Sequence, residues 1–233
     1  MKLYVIPIER NCNGKCPFCI TRFRDYKNHL LKTDRLREVL ENNEFEKIEI
    51  TGGGEPSVHP KIFEIIKLCK SYAPTQIYTN GSLNFDSKQN ELTKICLSRA
   101  HYNDSENQRI MGIKYDIRKY KGLPVKLSLM IHKSGISTEA EVLKYVEWAK
   151  NRSDSIVIRQ LFKYQEPGYI AFYNEEFVPT AELFKNLKGS RLENGNRSLK
   201  IKNVEVEIEE RTCSCESQNP VLHADSVLAE GWE

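Results

Sequence analysis

Short apolar runs recur along the chain and predict six β-strands, at residues 3–8, 47–51, 76–79, 94–98, 125–131 and 155–161. Helical spacing separates them. Apolar residues at 62, 65, 66 and 69 share one helix face, and those at 142, 145, 146 and 149 repeat the pattern. Thr138 and Glu141 predict a capping box for the second of these helices. Strands that alternate with helices predict an α/β fold with a parallel sheet and right-handed crossovers.

The pattern changes past residue 189, where alternation continues without helical spacing. Segments 197–201 and 204–210 predict a β-hairpin around Lys202 and Asn203, and segments 221–224 and 227–229 predict a smaller one. We therefore expect a partial (β/α)6 barrel, similar to a TIM barrel, in residues 1–190. Residues 191–233 are expected to form a small C-terminal β-hairpin extension that packs over an end or flank of the barrel. Functional residues in such barrels gather on loops after the C-terminal ends of the strands.

Composition excludes several classes of protein. The 233 residues are 39% apolar and 29% charged, which is typical of a globular protein, and no apolar run reaches the roughly 18–20 residues of a membrane span. The net charge of +3 is too small to indicate nucleic-acid binding. The N-terminus has no pattern of a signal peptide. Seven cysteines in such a chain indicate free thiols in the reducing cytoplasm rather than a disulfide framework.

Three of the cysteines follow the first predicted strand. Cys12, Cys16 and Cys19 have C-x3-C-x2-C spacing, with the small residues Asn13 and Gly14 between the first two. Three thiolates on one short loop can hold three irons of a [4Fe–4S] cubane, which leaves the fourth iron open to an exogenous ligand. The next cysteine, Cys69, lies on an apolar helix face. A zinc site, or an iron–sulfur module without catalysis, is the alternative.

The cysteine spacing resembles the cluster motif of the radical S-adenosylmethionine (SAM) superfamily. The resemblance implies that the open iron chelates the amino and carboxylate groups of SAM. It also implies that an electron from the cluster cleaves SAM to methionine and a 5′-deoxyadenosyl radical. An external donor such as flavodoxin or ferredoxin would supply that electron. Phe18 matches the aromatic position that packs against the adenine.

Motifs at later strand ends extend the resemblance. The segment Thr51-Gly52-Gly53-Gly54-Glu55-Pro56 resembles the GGE motif of the family, whose backbone binds the SAM amino group. The segment Thr79-Asn80-Gly81 resembles its TNG segment, and Ser98 matches a serine that contacts SAM. Alternation places Lys126 and Ser128 on one face of the fifth strand, and Arg159 lies late in the sixth. A buried Lys126 or Arg159 needs an anionic partner, either the SAM carboxylate, an acidic substrate or an internal salt bridge.

Candidate substrate residues follow the same strand ends. Arg22 and Arg24 suit a phosphate or carboxylate, with surface charge as the alternative. His101 and Tyr102 follow the fourth strand, and His101 is a candidate for proton exchange, unless it is a hydrogen-bonded structural residue. Weaker candidates are His132, Gln160, Lys163 and Tyr164.

The order of the motifs resembles most the branch that contains the GTP cyclase of molybdopterin biosynthesis and the SPASM proteins, over about residues 1–165. These relatives have further cysteines near the C-terminus. Here only Cys213 and Cys215 are present, so an auxiliary metal site would need a further ligand such as His223. We expect an oxidoreductase or lyase that acts on a small polar metabolite, such as a nucleotide or sugar. A peptide-modifying radical SAM enzyme is the main alternative.

Overall fold

The computed structural model describes residues 1–24, 27–82, 92–120, 122–192, 195–210 and 219–230. All six predicted strands are present. They are β1 (Lys2–Val5), β2 (Lys47–Ile50), β3 (Thr75–Thr79), β4 (Lys94–Ser98), β5 (Val125–Met130) and β6 (Ser155–Arg159). Neighbouring strands pair in parallel in that order. The sheet does not close, so the predicted partial α/β barrel is confirmed.

The described ranges contain six α-helices. They are α1 (Thr33–Glu41), α2 (Ile62–Tyr72), α3 (Asp104–Met111), α4 (Glu139–Ala149), α5 (Pro167–Glu176) and the short α6 (Thr180–Leu183). The predicted apolar stripes of α2 and α4 are buried in one core with outward-facing strand residues such as Ile48 and Leu97. The predicted capping box of Thr138 and Glu141 starts α4. Burial of these apolar side chains is the main source of stability.

The C-terminal hairpins lie in the same sheet, one at each side of the six strands. The first consists of β8 (Arg197–Ile201) and β9 (Val204–Glu209), with β9 parallel to β6, and the sequence did not predict the short β7 (Ser190–Arg191) that pairs with β8. The second consists of β10 (Pro220–Leu222) and β11 (Leu228–Glu230), with β10 parallel to β1. The hairpins thus flank the strands and extend the sheet. A domain boundary at residue 190 stays a prediction.

The inner face of the sheet is polar. Side chains alternate in burial along β5, and the outward residues Val125, Leu127 and Leu129 belong to the apolar core. Lys126 and Ser128 occupy the opposite face, as predicted. None of the helices in the described ranges combines the length and apolarity of a membrane span.

Candidate functional site

The cysteine loop follows β1 and packs on the C-terminal end of α3. Its Lys15 N–H donates to the carbonyl of Met111 at 2.7 Å, and Ile113 lies against Gly14. Cys12 is exposed, whereas Cys16 and Cys19 are half-buried. Gly14 N–H donates to Cys12 Sγ at 3.2 Å, and Cys19 Sγ forms a hydrogen bond with Thr21 Oγ1 at 2.9 Å. The loop therefore presents its thiols at the C-terminal end of the sheet.

The three thiols are close enough to interact electrostatically. Burial, and then the neighbouring Cys19 and Cys12, raise the pKa of the Cys16 thiol to about 12. Desolvation by the surrounding loops also raises the pKa of the Cys12 thiol, although this residue is partly open to solvent, with smaller contributions from Glu55 and Cys19. Within the described ranges, no three His, Cys, Asp or Glu side chains converge on a point that could hold one metal ion. A cubane needs a different arrangement, because each thiolate binds its own iron. The donor set of this loop fits such a cluster.

The glycine segment after β2 contacts the start of the cysteine loop through the backbone. Arg10 N–H donates to the carbonyl of Gly53 at 3.0 Å, and Glu55 N–H donates to the carbonyl of Asn11 at 3.0 Å. A Cβ atom at Gly54 would lie 2.3 Å from that Asn11 oxygen. Only glycine permits this close approach.

Glu55 joins the glycine segment to the end of β3. Its carboxylate is buried and accepts three hydrogen bonds, from Thr79 Oγ1 at 2.6 Å, Asn80 N–H at 2.7 Å and Ser57 N–H at 3.0 Å. A buried carboxylate is stable when its oxygens are satisfied in this way. Glu55 therefore braces the two loops.

Asn80 extends this network to the cysteine loop. Its side-chain amide donates to Asn13 Oδ1 at 2.8 Å and lies 3.9 Å from Cys12 Sγ. The motifs after β1, β2 and β3, which are far apart in sequence, thus form one hydrogen-bonded site. Ser98 ends β4 at the same side of the sheet, where its carbonyl accepts the hydroxyl of Tyr115 at 3.2 Å.

The two arginines after the cysteine loop have intramolecular partners. Arg22 donates to the carbonyls of Lys15 and Cys16 at 3.0 and 3.3 Å. Arg24 forms an ion pair with Glu166 at 2.5 Å and lies over the ring of Tyr164. Arg22 therefore stabilises the cysteine loop, and Arg24 connects it to the segment after β6. Their predicted role in substrate binding stays a prediction.

His101 and Tyr102 follow β4 with their ring centroids 4.3 Å apart, and both are half-buried. His101 Nδ1 accepts the N–H of Asn103 at 3.0 Å, which is the structural role that the sequence left open. Burial lowers the pKa of His101. The neutral ring remains available for a second contact, so its predicted substrate role is compatible with this geometry.

Lys126 and Arg159 have carboxylate partners on β9, as the salt-bridge alternative predicted. Lys126 Nζ is 2.6 Å from Glu207 Oε2, and Arg159 Nε is 3.2 Å from Glu209 Oε2. Lys126 also lies at the N-terminal end of β5, four residues and roughly 13 Å before Met130. The cysteine loop is at the opposite end of the strands. We therefore leave Lys126 out of the proposed SAM site.

Sequence reasoning missed Glu9, which lies between two histidines beside the glycine segment. Its oxygens are 3.2 Å from His29 Nδ1 and 3.5 Å from His223 Nδ1, and it forms a backbone bridge with Gly53. A lone glutamate three residues before Cys12 carried no signal, because its partners come from distant segments. Cys213 and Cys215 lie outside the described residues.

Comparison with known proteins identifies the family. Residues 6–123, about half of the chain, match the model of the radical SAM superfamily. The probable GTP 3′,8-cyclase of Thermococcus kodakarensis is 26% identical over 83% of this chain and 68% of its own length. The SAM-dependent nucleotide dehydratase of Flammeovirga pacifica is 36% identical over 42% of this chain, but only 38% of that protein is matched.

Solved structures show the same fold at low sequence identity. Streptococcus suis SuiB bound to SAM is 19% identical, with a TM-score of 0.59 over 70% of this chain and 41% of its own. The enzyme anSMEcpe with bound SAM and a peptide is 15% identical, with a TM-score of 0.58 over 99% of this chain and 73% of its own. Their partial barrels correspond to the open sheet described above. The chain belongs to the radical SAM superfamily, and it is an enzyme whose cofactors are a [4Fe–4S] cluster and SAM.

Proposed function

We propose that Cys12, Cys16 and Cys19 hold the cluster, and that the enzyme abstracts a hydrogen atom from a nucleotide-like or sugar-like metabolite. When bound, the cluster supplies the electron that cleaves SAM and so generates the 5′-deoxyadenosyl radical. The observation that carries the proposal is the network of Glu55 and Asn80. It connects the cysteine loop, the glycine segment and the end of β3 through side chains that the sequence had singled out.

The residues around this network have separate roles in the proposed site. Phe18 offers a ring to the adenine, and the backbone of Gly53, Gly54 and Glu55 offers polar groups to the amino group of SAM. Thr79, Asn80, Ser98 and Ser128 complete the SAM site. Asn80 also donates toward Cys12, which favours the thiolate form that binds iron. An external electron carrier such as flavodoxin or ferredoxin is the proposed donor.

The sequence relatives support a nucleotide as the substrate class. The two relatives described above are named for reactions of GTP and of nucleotides. In the proposed site, His101 and Tyr102 contact the substrate from the loop after β4, and Arg24 is available to an anionic group if Glu166 releases it. A site of this kind must hold one C–H bond beside the radical and exclude competing donors. The half-buried aromatic pair of His101 and Tyr102 suits a planar base.

Anaerobic reconstitution tests the cofactor assignment. With dithionite and SAM, the wild-type protein should bind about four irons and form 5′-deoxyadenosine. Cys16→Ala should lose both the brown colour and the cleavage of SAM. Cys69→Ala removes a buried core thiol of α2 and is the matched control, which should keep both. Retention of the cluster and of cleavage in Cys16→Ala would refute the ligand assignment.

Isotope transfer tests the substrate class. Nucleoside triphosphates deuterated on the ribose are incubated with the reconstituted enzyme, and 5′-deoxyadenosine is analysed by mass spectrometry. Deuterium in this product identifies the donor carbon. A panel of deuterated peptides is the comparison, and transfer from a peptide alone would replace the proposed substrate class with the peptide-modifying alternative.

A further inference from the structure

Phe18 lies between two different surfaces. On one side a small apolar cluster of Ala100, Ile110 and Met111 packs against it and against Cys16. The ring of His132 also packs against Phe18, with the ring centroids 5.3 Å apart and the planes inclined by 50°. Phe18 immediately precedes Cys19, so any rotation of its ring occurs next to the cluster ligand.

His132 is held by the end of α5. It follows β5, it is fully buried, and its Nδ1 is 3.3 Å from Glu176 Oε2. The same carboxylate oxygen accepts the N–H and the hydroxyl of Ser134, each at 2.7 Å. The Glu176 carbonyl accepts the N–H of Lys133 at 3.0 Å. The turn after β5 is therefore tied to the last residue of α5. Burial lowers the pKa of His132, and the Glu176 carboxylate opposes that shift.

Gly135 lies against the edge of the His132 ring that contains Nε2. A Cβ atom at this position would lie 2.5 Å from His132 Nε2 and 2.7 Å from Cε1. Glu176 fixes one edge of the imidazole, Gly135 contacts the other edge, and Phe18 meets the ring from a third direction. These contacts leave the imidazole little freedom to rotate, and a side chain at residue 135 would have to displace it.

We infer that His132 is a positioning residue for SAM, which fixes the orientation of the Phe18 ring and thereby the surface offered to the adenine. The inference rests on the proposed function, in which Phe18 contacts the adenine. His132 acts through Phe18 and Glu176 acts through His132. The turn after β5 and the end of α5 therefore contribute to SAM affinity without touching the cluster.

A double-mutant cycle at His132 and Gly135 tests this role in the reconstituted enzyme. Gly135→Ala pushes on the imidazole, so we expect the KM for SAM in 5′-deoxyadenosine formation to rise about tenfold, with kcat within about twofold. His132→Ala should raise the KM similarly. The double variant should be no worse than His132→Ala, because without the ring the new methyl group meets no obstacle. Glu176→Gln should show a smaller rise, of about threefold, since the amide oxygen still accepts one hydrogen bond.

Iron content, the melting temperature and the change in the cluster's EPR spectrum on addition of SAM are measured alongside. Iron near four per chain and a shifted EPR response at subsaturating SAM support the inference. An unchanged KM in both single variants, with only a lower melting temperature, would show that His132 is merely structural. Additive effects in the double variant would also overturn the inference. Wild-type protein that forms no 5′-deoxyadenosine refutes the proposed function itself, which distinguishes the two failures.

Discussion

Two polar regions of the molecule differ in how their side chains are satisfied. One lies at the C-terminal ends of β1–β3, and the other lies on the inner face of β5, β6 and β9. At the strand ends, Glu55 and Asn80 are satisfied by hydrogen bonds to backbone and neutral groups of neighbouring loops. On the inner face, Lys126 and Arg159 are matched with Glu207 and Glu209. The first region is a network of fixed donors, and the second is a set of ion pairs.

The two regions differ in whether their polar contacts support the stability of the sheet or the geometry of the proposed active site. Ion pairs such as Lys126–Glu207 neutralise charge within the protein, so neither partner is left for a ligand. The hydrogen bonds of Glu55 instead fix backbone segments around the cysteine loop. We therefore expect substitutions in the first region to change catalysis, and those in the second to change mainly stability.

The largest effect is expected for Glu55→Gln. The carboxylate now accepts three hydrogen bonds, from Thr79 Oγ1, Ser57 N–H and Asn80 N–H. The NH2 group of glutamine would face at least one of these donors, which would then lose its acceptor. We expect a loss of about 2–3 kcal/mol in the free energy of unfolding. SAM cleavage should fall about 100-fold, because the loops around the cluster shift. Urea unfolding and 5′-deoxyadenosine formation measure the two effects, and the exposed Glu64→Gln is the control. Full activity in Glu55→Gln would contradict the bracing role.

Gly54→Ala should have the next largest effect. The added methyl group would overlap with the Asn11 carbonyl, which also accepts Glu55 N–H. The backbone must move, at a cost of about 3 kcal/mol in the free energy of unfolding. Gly53→Ala is the matched control, because its Cβ would make an ordinary contact at 3.4 Å with Glu9 Cγ. Thermal unfolding compares the two variants. Equal losses of stability would show that overlap with the Asn11 carbonyl is not the cause of the destabilisation in Gly54→Ala.

Lys126→Met probes the second region. The substitution leaves Glu207 hydrogen-bonded to Asn196 at 2.7 Å but without the charge of Lys126, so we expect a loss of about 1 kcal/mol in the free energy of unfolding. The KM for SAM should stay within about twofold of wild type. The double variant Lys126→Met with Glu207→Gln should recover part of the stability. A tenfold rise in the KM for SAM would instead show that Lys126 contributes to SAM binding, which would contradict the distinction between the two regions.

The sequence predicted the two regions unequally for a physical reason. Apolar periodicity identified the six strands, and motifs of adjacent residues identified the strand-end loops, because both signals are local. Alternation in β9 places Glu205, Glu207 and Glu209 on one face, which was a readable signal. It could not show that this face meets Lys126 and Arg159, since the parallel pairing of β6 with β9 joins segments about 50 residues apart. His132 and Glu176 meet through the same kind of distant contact.

The last comparison of the two regions is by pH. His59, His101 and His132 follow β2, β4 and β5, and burial lowers the pKa of each below the ordinary 6.5. As the pH falls below about 6.5, the unfolded chain binds protons that the folded chain resists, so stability is lost. Each histidine contributes at most about 1.4 kcal/mol per pH unit, and we expect a total loss of about 1–2 kcal/mol between pH 7 and 5.5.

The ion pairs of β9 should contribute little, because lysine and arginine keep their charge in this range. Urea unfolding of the holoenzyme under argon at both pH values measures the loss, and His59→Asn should reduce it. Equal losses in wild type and in a variant that lacks all three histidines would show that these histidines do not cause the acid sensitivity.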